Sequence, residues 1–164
     1  MSILAEIEEA VPALRRYAWS LLRHPHDAED LVQDTLLRAL SSLPREPGIT
    51  AVRPWLFTIL HNLSVSRWRS LRRRAAARFT PEDKVGPSQD WHLATRDLMR
   101  GLEALSEDQR RVLLLVSVEG FDYREVAAIL GLPIGTVMSR LSRARDALAA
   151  QMEEGQRQPL RRVK

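Results

Sequence analysis

Thr136, Ser139, Arg140 and Arg143 recur at the three- and four-residue spacing that lines one side of a helix, off the apolar stripe of Val137, Leu141, Ala144 and Leu148. Hydroxyl and guanidinium groups in this pattern hydrogen-bond rather than make or break covalent bonds. An arginine fork matches the two acceptors of a guanine edge or a phosphate, and Thr and Ser can bond either. Upstream, a short helix expected over residues 123–130 stops at Gly131, and a three-residue turn leads into a long helix starting near Gly135. A short helix, a glycine turn and a long helix with a basic outer face set the second helix into the major groove of DNA. The plain alternative is a helical hairpin whose arginines are merely solvated. Arg145 serves equally well as a surface ion pair with Asp146 and is left out of the DNA-reading set.

A second basic cluster lies in the first half of the chain. Residues 51–80 hold seven arginines and no acidic residue, whereas residues 1–50 hold five basic and eight acidic ones. So polarised a split suggests one surface for a protein and another for a nucleic-acid backbone. Arg53, Arg67, Arg69, Arg72, Arg73 and Arg74 are phosphate candidates, and Asn62 and Ser66 can hydrogen-bond exposed bases. Trp55, Phe57, His61 and Trp68 offer stacking surfaces, at roughly 1 to 3 kcal/mol per base. Trp55, in helical register with Ile59 and Leu63, reads better as core.

These groups must be carried by helices, because no strand pattern competes anywhere. Ile3, Ile7, Val11, Leu14, Ala18, Leu21 and Leu22 mark a first amphipathic helix interrupted at Pro25. Asp27 is the expected cap of a second, over about 27–42, with Ala28, Leu31, Val32, Thr35, Leu36 and Ala39 inward. Pro44, Pro47 and Gly48 impose a loop, and Pro54 suits the first turn of a third helix with Trp55, Leu56, Ile59, Leu60 and Leu63 as its core face. Apolar periodicity fades between residues 75 and 97. It returns with Leu98, Leu102 and Leu105, and capping-box signatures follow at Ser106/Gln109 and Asp122/Glu125, with a helix end at Gly120. The expectation is an all-α chain of two small helical domains, residues 1–75 and 98–150, joined by a flexible linker over 76–97. The second is a helix-turn-helix domain, and a basic tail, 151–164, follows it.

At this point the chain resembles a known family. The stretches 105–112, 120–127 and 135–145, running Leu-Ser-Glu-Asp-Gln-Arg-Arg-Val, Gly-Phe-Asp-Tyr-Arg-Glu-Val-Ala and Gly-Thr-Val-Met-Ser-Arg-Leu-Ser-Arg-Ala-Arg, resemble region 4 of the extracytoplasmic-function (ECF) sigma factors of the sigma-70 family. Residues 27–35, Asp-Ala-Glu-Asp-Leu-Val-Gln-Asp-Thr, resemble its region 2.2, and residues 55–62 resemble the start of its promoter-reading helix. The resemblance implies that Asp30, Gln33, Asp34 and Leu37 dock on the clamp helices of the largest subunit of core RNA polymerase. It also implies contact with the polymerase flap. The minus-ten promoter element would fall to Arg53, His61, Asn62, Ser66, Arg67, Trp68 and Arg69, and the minus-thirty-five element to Thr136, Ser139, Arg140 and Arg143. The loop over 41–52 corresponds to the place where the family captures a flipped base, and an anti-sigma factor is an expected partner. Without the resemblance, the acidic residues of the second helix read as a solvated face.

Composition excludes other classes. The net charge is +4 with a pI near 10.3, and nearly all the basic residues are Arg, so an anionic partner is plausible. The absence of Cys rules out a disulfide framework or thiolate metal site and suits a cytoplasmic protein. Neither a leader pattern nor an apolar run of membrane-spanning length is visible. His24-Pro25-His26, with His61 and His92 elsewhere, lacks ligand spacing and reads as a turn. No activated nucleophile, phosphate loop or catalytic carboxylate pair is visible, so neither a cofactor nor an enzymatic activity is expected. Two rivals stand beside the sigma reading: a regulator using only the helix-turn-helix, and a sigma-like decoy that binds an anti-sigma factor but not DNA. The decoy would be expected to have a depleted basic face or an added receiver domain. The basic tail at 157–164 is expected to be disordered.

Overall fold

The computed structural model describes residues 2–45, 48–75 and 93–157, with the side chains of 71–75, 93–96 and 155–157 set aside. Residues 76–92 of the linker expected over 76–97, His92 among them, and the tail beyond 157 lie outside the described residues, while residues 93–97 belong to a helix. Every regular element among the described residues is helical.

Helix α1, Ile3–Leu22, starts where the Ser2 hydroxyl accepts the Leu4 N–H. Its buried residues, Ile7, Ala10, Leu14, Tyr17, Ala18 and Leu21, keep the stripe that the sequence predicts, and Pro12 lies on the exposed side. The helix closes on Arg23, a non-glycine residue at φ 55° whose N–H bonds the Trp19 carbonyl. Helix α2, Pro25–Ser42, begins two residues earlier than expected. His24, not Asp27, is its cap: the imidazole Nδ1 accepts the Asp27 N–H at 3.3 Å, and Pro25 occupies the first turn, where a missing N–H costs nothing. Asp27 instead supplies charge to the positive first turn. After a single 3-10 turn, Leu43–Arg45, helix α3, Val52–Ala75, packs on α1 and α2 through Val52, Leu56, Phe57 and Leu60.

Helix α4, Leu93–Ala104, starts five residues before the predicted Leu98. Its C-terminal end is covered by Arg110, whose guanidinium donates to the carbonyls of Leu102, Glu103 and Leu105 at 2.8 to 3.3 Å. Helices α5, Glu107–Ser117, and α6, Tyr123–Leu130, both open with the predicted capping boxes, Ser106/Gln109 and Asp122/Glu125. Helix α5 ends three residues before Gly120, and the segment 118–122 connects it to α6 with Glu119 and Phe121 buried. Gly131 closes α6 at φ 64°, and α7, Ile134–Arg157, leaves at a bend of 103°, within the range of helix-turn-helix units. Gly101 lets α4 lie close on α7, since a Cβ there would run into Leu148 Cδ1. No single described helix is long and apolar enough to cross a membrane.

Candidate nucleic-acid interface

The outer side of α7 carries Ser139 and Arg143 exposed, with Thr136 and Arg140 half-buried beside them. Val137, Leu141 and Ala144 point inward, so burial of the stripe forces the polar residues out. The Thr136 N–H is held by the Pro133 carbonyl at 3.0 Å, and the Ser139 hydroxyl donates to the Thr136 carbonyl at 3.1 Å. Arg140 has a partner that local sequence does not announce: its Nη2 lies 3.6 Å from Asp108 on α5.

On α2, Asp30, Gln33, Asp34 and Leu37 are all exposed, and Leu37 at 66 % exposure continues into exposed Leu40, which sequence reading missed. This strip has carboxylates and an amide at one end and exposed apolar surface at the other. Two of its acids have intramolecular partners: Asp30 is 3.9 Å from His26, and Asp34 accepts a hydrogen bond from Arg67 of α3. Alongside, Arg15 and Glu29 form a two-bond pair at 3.0 and 2.9 Å that lowers the Glu29 pKa through hydrogen bonding and charge.

The residues predicted on α3 divide. Asn62, Ser66, Trp68 and Arg69 are exposed, and Arg67 is joined to Asp34. The backbone at Arg72, Arg73 and Arg74 continues the helix. Arg53 and His61, by contrast, face the C-terminal helices. Phe57, expected as a stacking surface, is fully buried; its ring packs 5.4 Å from Tyr17 and edge-on, at 4.9 Å, to Phe121, because α3 is covered there by the 118–122 connection and α6. Burial also raises the pKa of the Tyr17 phenol, so it stays protonated. Trp55 is half-buried against the core.

Arg53 lies over Phe121 at 4.4 Å and Phe57 at 5.5 Å, and its Nη2 donates to the Glu119 carbonyl at 2.8 Å and to the Glu119 carboxylate at 3.1 Å. Arg16 of α1 donates to the same carboxylate through Nε and Nη2 at 3.0 and 2.7 Å. Further along, buried Arg111 donates to His61 Nδ1 at 3.3 Å and to Glu107. A guanidinium only donates, so Nδ1 carries no proton. The His61 pKa is lowered to about 4, by burial first and the Arg111 charge second, against a smaller opposing pull from Asp108. Sequence reading missed Arg16, Asp108, Arg111 and Glu119, since their partners are distant in the chain.

Residues 7–74 match the family described as sigma-70 region 2, and residues 95–148 match sigma-70, region 4. The chain is 42 % identical to the ECF RNA polymerase sigma factor EcfG of Rhodopseudomonas palustris over 91 % of its own length and 84 % of that protein. It is 34 % identical to the ECF RNA polymerase sigma factor SigC of Mycobacterium tuberculosis, over 90 % and 83 %. Among solved structures it is similar to the sigma factor RpoE of Bartonella quintana, crystallised with the anti-sigma factor NepR: TM-score 0.79, 38 % identity, 91 % of this chain and 95 % of that one. With both regions matched in order and a relative aligned along most of both chains, the protein belongs to the ECF sigma factors of the sigma-70 family.

Proposed function

We propose a division of labour among three surfaces of this sigma factor. Asp30, Gln33, Asp34 and Leu37 on α2 dock on the clamp helices of the largest polymerase subunit, where carboxylates steer a basic partner and Leu37 with Leu40 supplies apolar burial. Arg53, His61, Asn62, Ser66, Arg67, Trp68 and Arg69 on α3 hold the melted minus-ten element, with arginines for phosphate and Trp68 for stacking. Thr136, Ser139, Arg140 and Arg143 on α7 read the minus-thirty-five duplex while the C-terminal helices rest on the polymerase flap. Residues 1–75 form the first functional domain and residues 98–150 the second, joined by the linker over 76–97. RNA synthesis remains the chemistry of the polymerase.

The observation that carries this reading is the outward side of α7, where exposed Ser139 and Arg143 sit beside half-buried Thr136 and Arg140, beyond a helix-turn-helix bend of 103°. Each promoter contact is weak alone; the polymerase holds the two at a fixed separation and so raises the effective concentration of the second. The chain acts in the cytoplasm, and the RpoE complex with NepR supports an anti-sigma factor as its regulator. Transcription in vitro with purified core polymerase tests the proposal on templates that vary both promoter elements. A transcript that starts at one position and depends on both elements is expected. Promoter binding by the free chain with no polymerase-dependent transcript would replace the sigma reading with that of an ordinary regulator.

A further inference from the structure

Met138 on α7 is 51 % exposed, more than any other large apolar residue described in the C-terminal helices. It follows buried Val137, precedes exposed Ser139, and stands further out than Thr136 and Arg140, which are half-buried. Ser142 and Arg145 lie on its side of the helix at helical spacing, and with Tyr123 of α6 these residues line a cleft open to solvent at the helix-turn-helix corner. Hydroxyls and guanidiniums suit a face that meets phosphates and base edges. An unbranched thioether among them has two other uses: its terminal methyl can pack on the methyl group of a thymine, and its sulfur can be oxidised. The sequence has no Cys, so the sulfur chemistry of this chain rests on its four Met residues.

We infer that Met138 is a reversible oxidation site through which hydrogen peroxide weakens binding to the upstream promoter element. This rests on reading α7 as the minus-thirty-five helix. A lone pair of the Met138 sulfur attacks one peroxide oxygen; the S–O bond forms as the O–O bond breaks, and the second oxygen leaves as water. The thioether is oxidised and the peroxide reduced by the same electron pair. The product is a polar sulfoxide whose oxygen accepts hydrogen bonds and donates none. Toward DNA it meets phosphate oxygens with nothing to donate and no longer packs on a methyl group. Toward its own chain it finds the donors of Arg145 in the same cleft. Both effects draw the helix face away from the duplex. The other described methionines differ in the way such a site requires. Met99 is buried, and Met152, though exposed, stands roughly 20 Å further along α7 by the helical rise, outside the half that faces DNA.

The test treats the full chain with hydrogen peroxide, removes the oxidant, and only then adds core polymerase, so that the polymerase is never oxidised. Peptide mass spectrometry locates the added oxygen, and binding of the assembled holoenzyme to promoter duplex is compared for treated and untreated samples of each protein. Met138→Leu removes the sulfur in a residue that forms helix as readily as Met, and Met152→Leu does the same outside the DNA face. Both variants keep Met99 and so share any damage that its oxidation causes. Treatment is expected to weaken binding of the wild type and of Met152→Leu about fivefold or more, the scale of one lost base-edge contact. Binding by Met138→Leu should be the same before and after. Methionine sulfoxide reductases acting on both epimers should restore the wild type. Absence of oxygen on Met138 at a dose that oxidises Met152 overturns the site, and an equal loss in wild type and Met138→Leu overturns its effect on DNA binding. An untreated holoenzyme indifferent to changes in the upstream element overturns the reading of α7 instead, independently of where the oxygen is found.

Discussion

Arg67 of α3 donates to Asp34 of α2, so a residue proposed to meet DNA and one proposed to meet polymerase neutralise each other in the free chain. Both are substantially exposed, and an exposed pair contributes about 0 to 1 kcal/mol to stability. If the proposed docking holds, a clamp helix that drew Asp34 into its own basic surface would free Arg67 for phosphate.

Replacing Asp30 and Asp34 together by Ala should weaken core polymerase binding at least tenfold and leave thermal stability within about 1 kcal/mol of wild type. Titration of labelled core enzyme measures the first and urea unfolding the second. Undiminished core affinity would remove α2 from the docking surface.

His61 gives the packing of α3 on α5 a pH dependence with a definite sign. Its pKa is about 4 in the folded chain, against an ordinary value of 6.5, so the unfolded or opened chain binds the extra proton. Stability from this group is present in full above pH 6.5, falls as the pH drops below that value, and levels off near pH 4. The groups facing His61 across the junction are Arg111 and Asp108. The urea midpoint of the wild type should drop more than that of His61→Gln between pH 7.5 and 5. Parallel curves for the two proteins would show that His61 does not titrate as described.

Two glycines should respond differently to the same change. Gly131 lies at φ 64° with open space around it, so Gly131→Ala meets only the left-handed backbone penalty, about 1 to 2 kcal/mol. Gly101 sits in a helix, where Ala is favoured by about 1 kcal/mol, and the obstacle is the flexible end of Leu148. Gly101→Ala is thus expected within about 1 kcal/mol of wild type, with chemical denaturation ordering the two.

Whatever repeats within one or two helical turns was legible in the sequence: the stripes of α1, α2 and α7, and both capping boxes, whose four-residue pattern is local. Pro25 was misread for a physical reason, since proline both ends a helix and begins one, and His24 is an uncommon cap. The exposed α7 residues follow from the burial of their neighbours. The junction follows from nothing local, because Glu119 meets Arg16 across 103 residues and Arg53 across 66, and no periodicity encodes a pair so far apart. For the same reason Phe57 and His61 passed for surface residues.

Arg140 and Asp108 offer the most specific test of the DNA-reading face. At 3.6 Å the carboxylate is too far for a firm hydrogen bond yet near enough to hold the guanidinium over the α5 side of the helix. If Arg140 reads a base edge, Arg140→Ala should lose about 1 to 3 kcal/mol of discrimination at one position of the upstream element, with other positions unaffected. Asp108→Asn removes the competing charge and leaves the reader in place, so it should strengthen holoenzyme binding to all sequences by a few-fold without changing which base is preferred. Transcription across a panel of single-base upstream variants separates the two effects. A uniform loss across the panel for Arg140→Ala would assign Arg140 to phosphate and leave base reading to Thr136, Ser139 and Arg143.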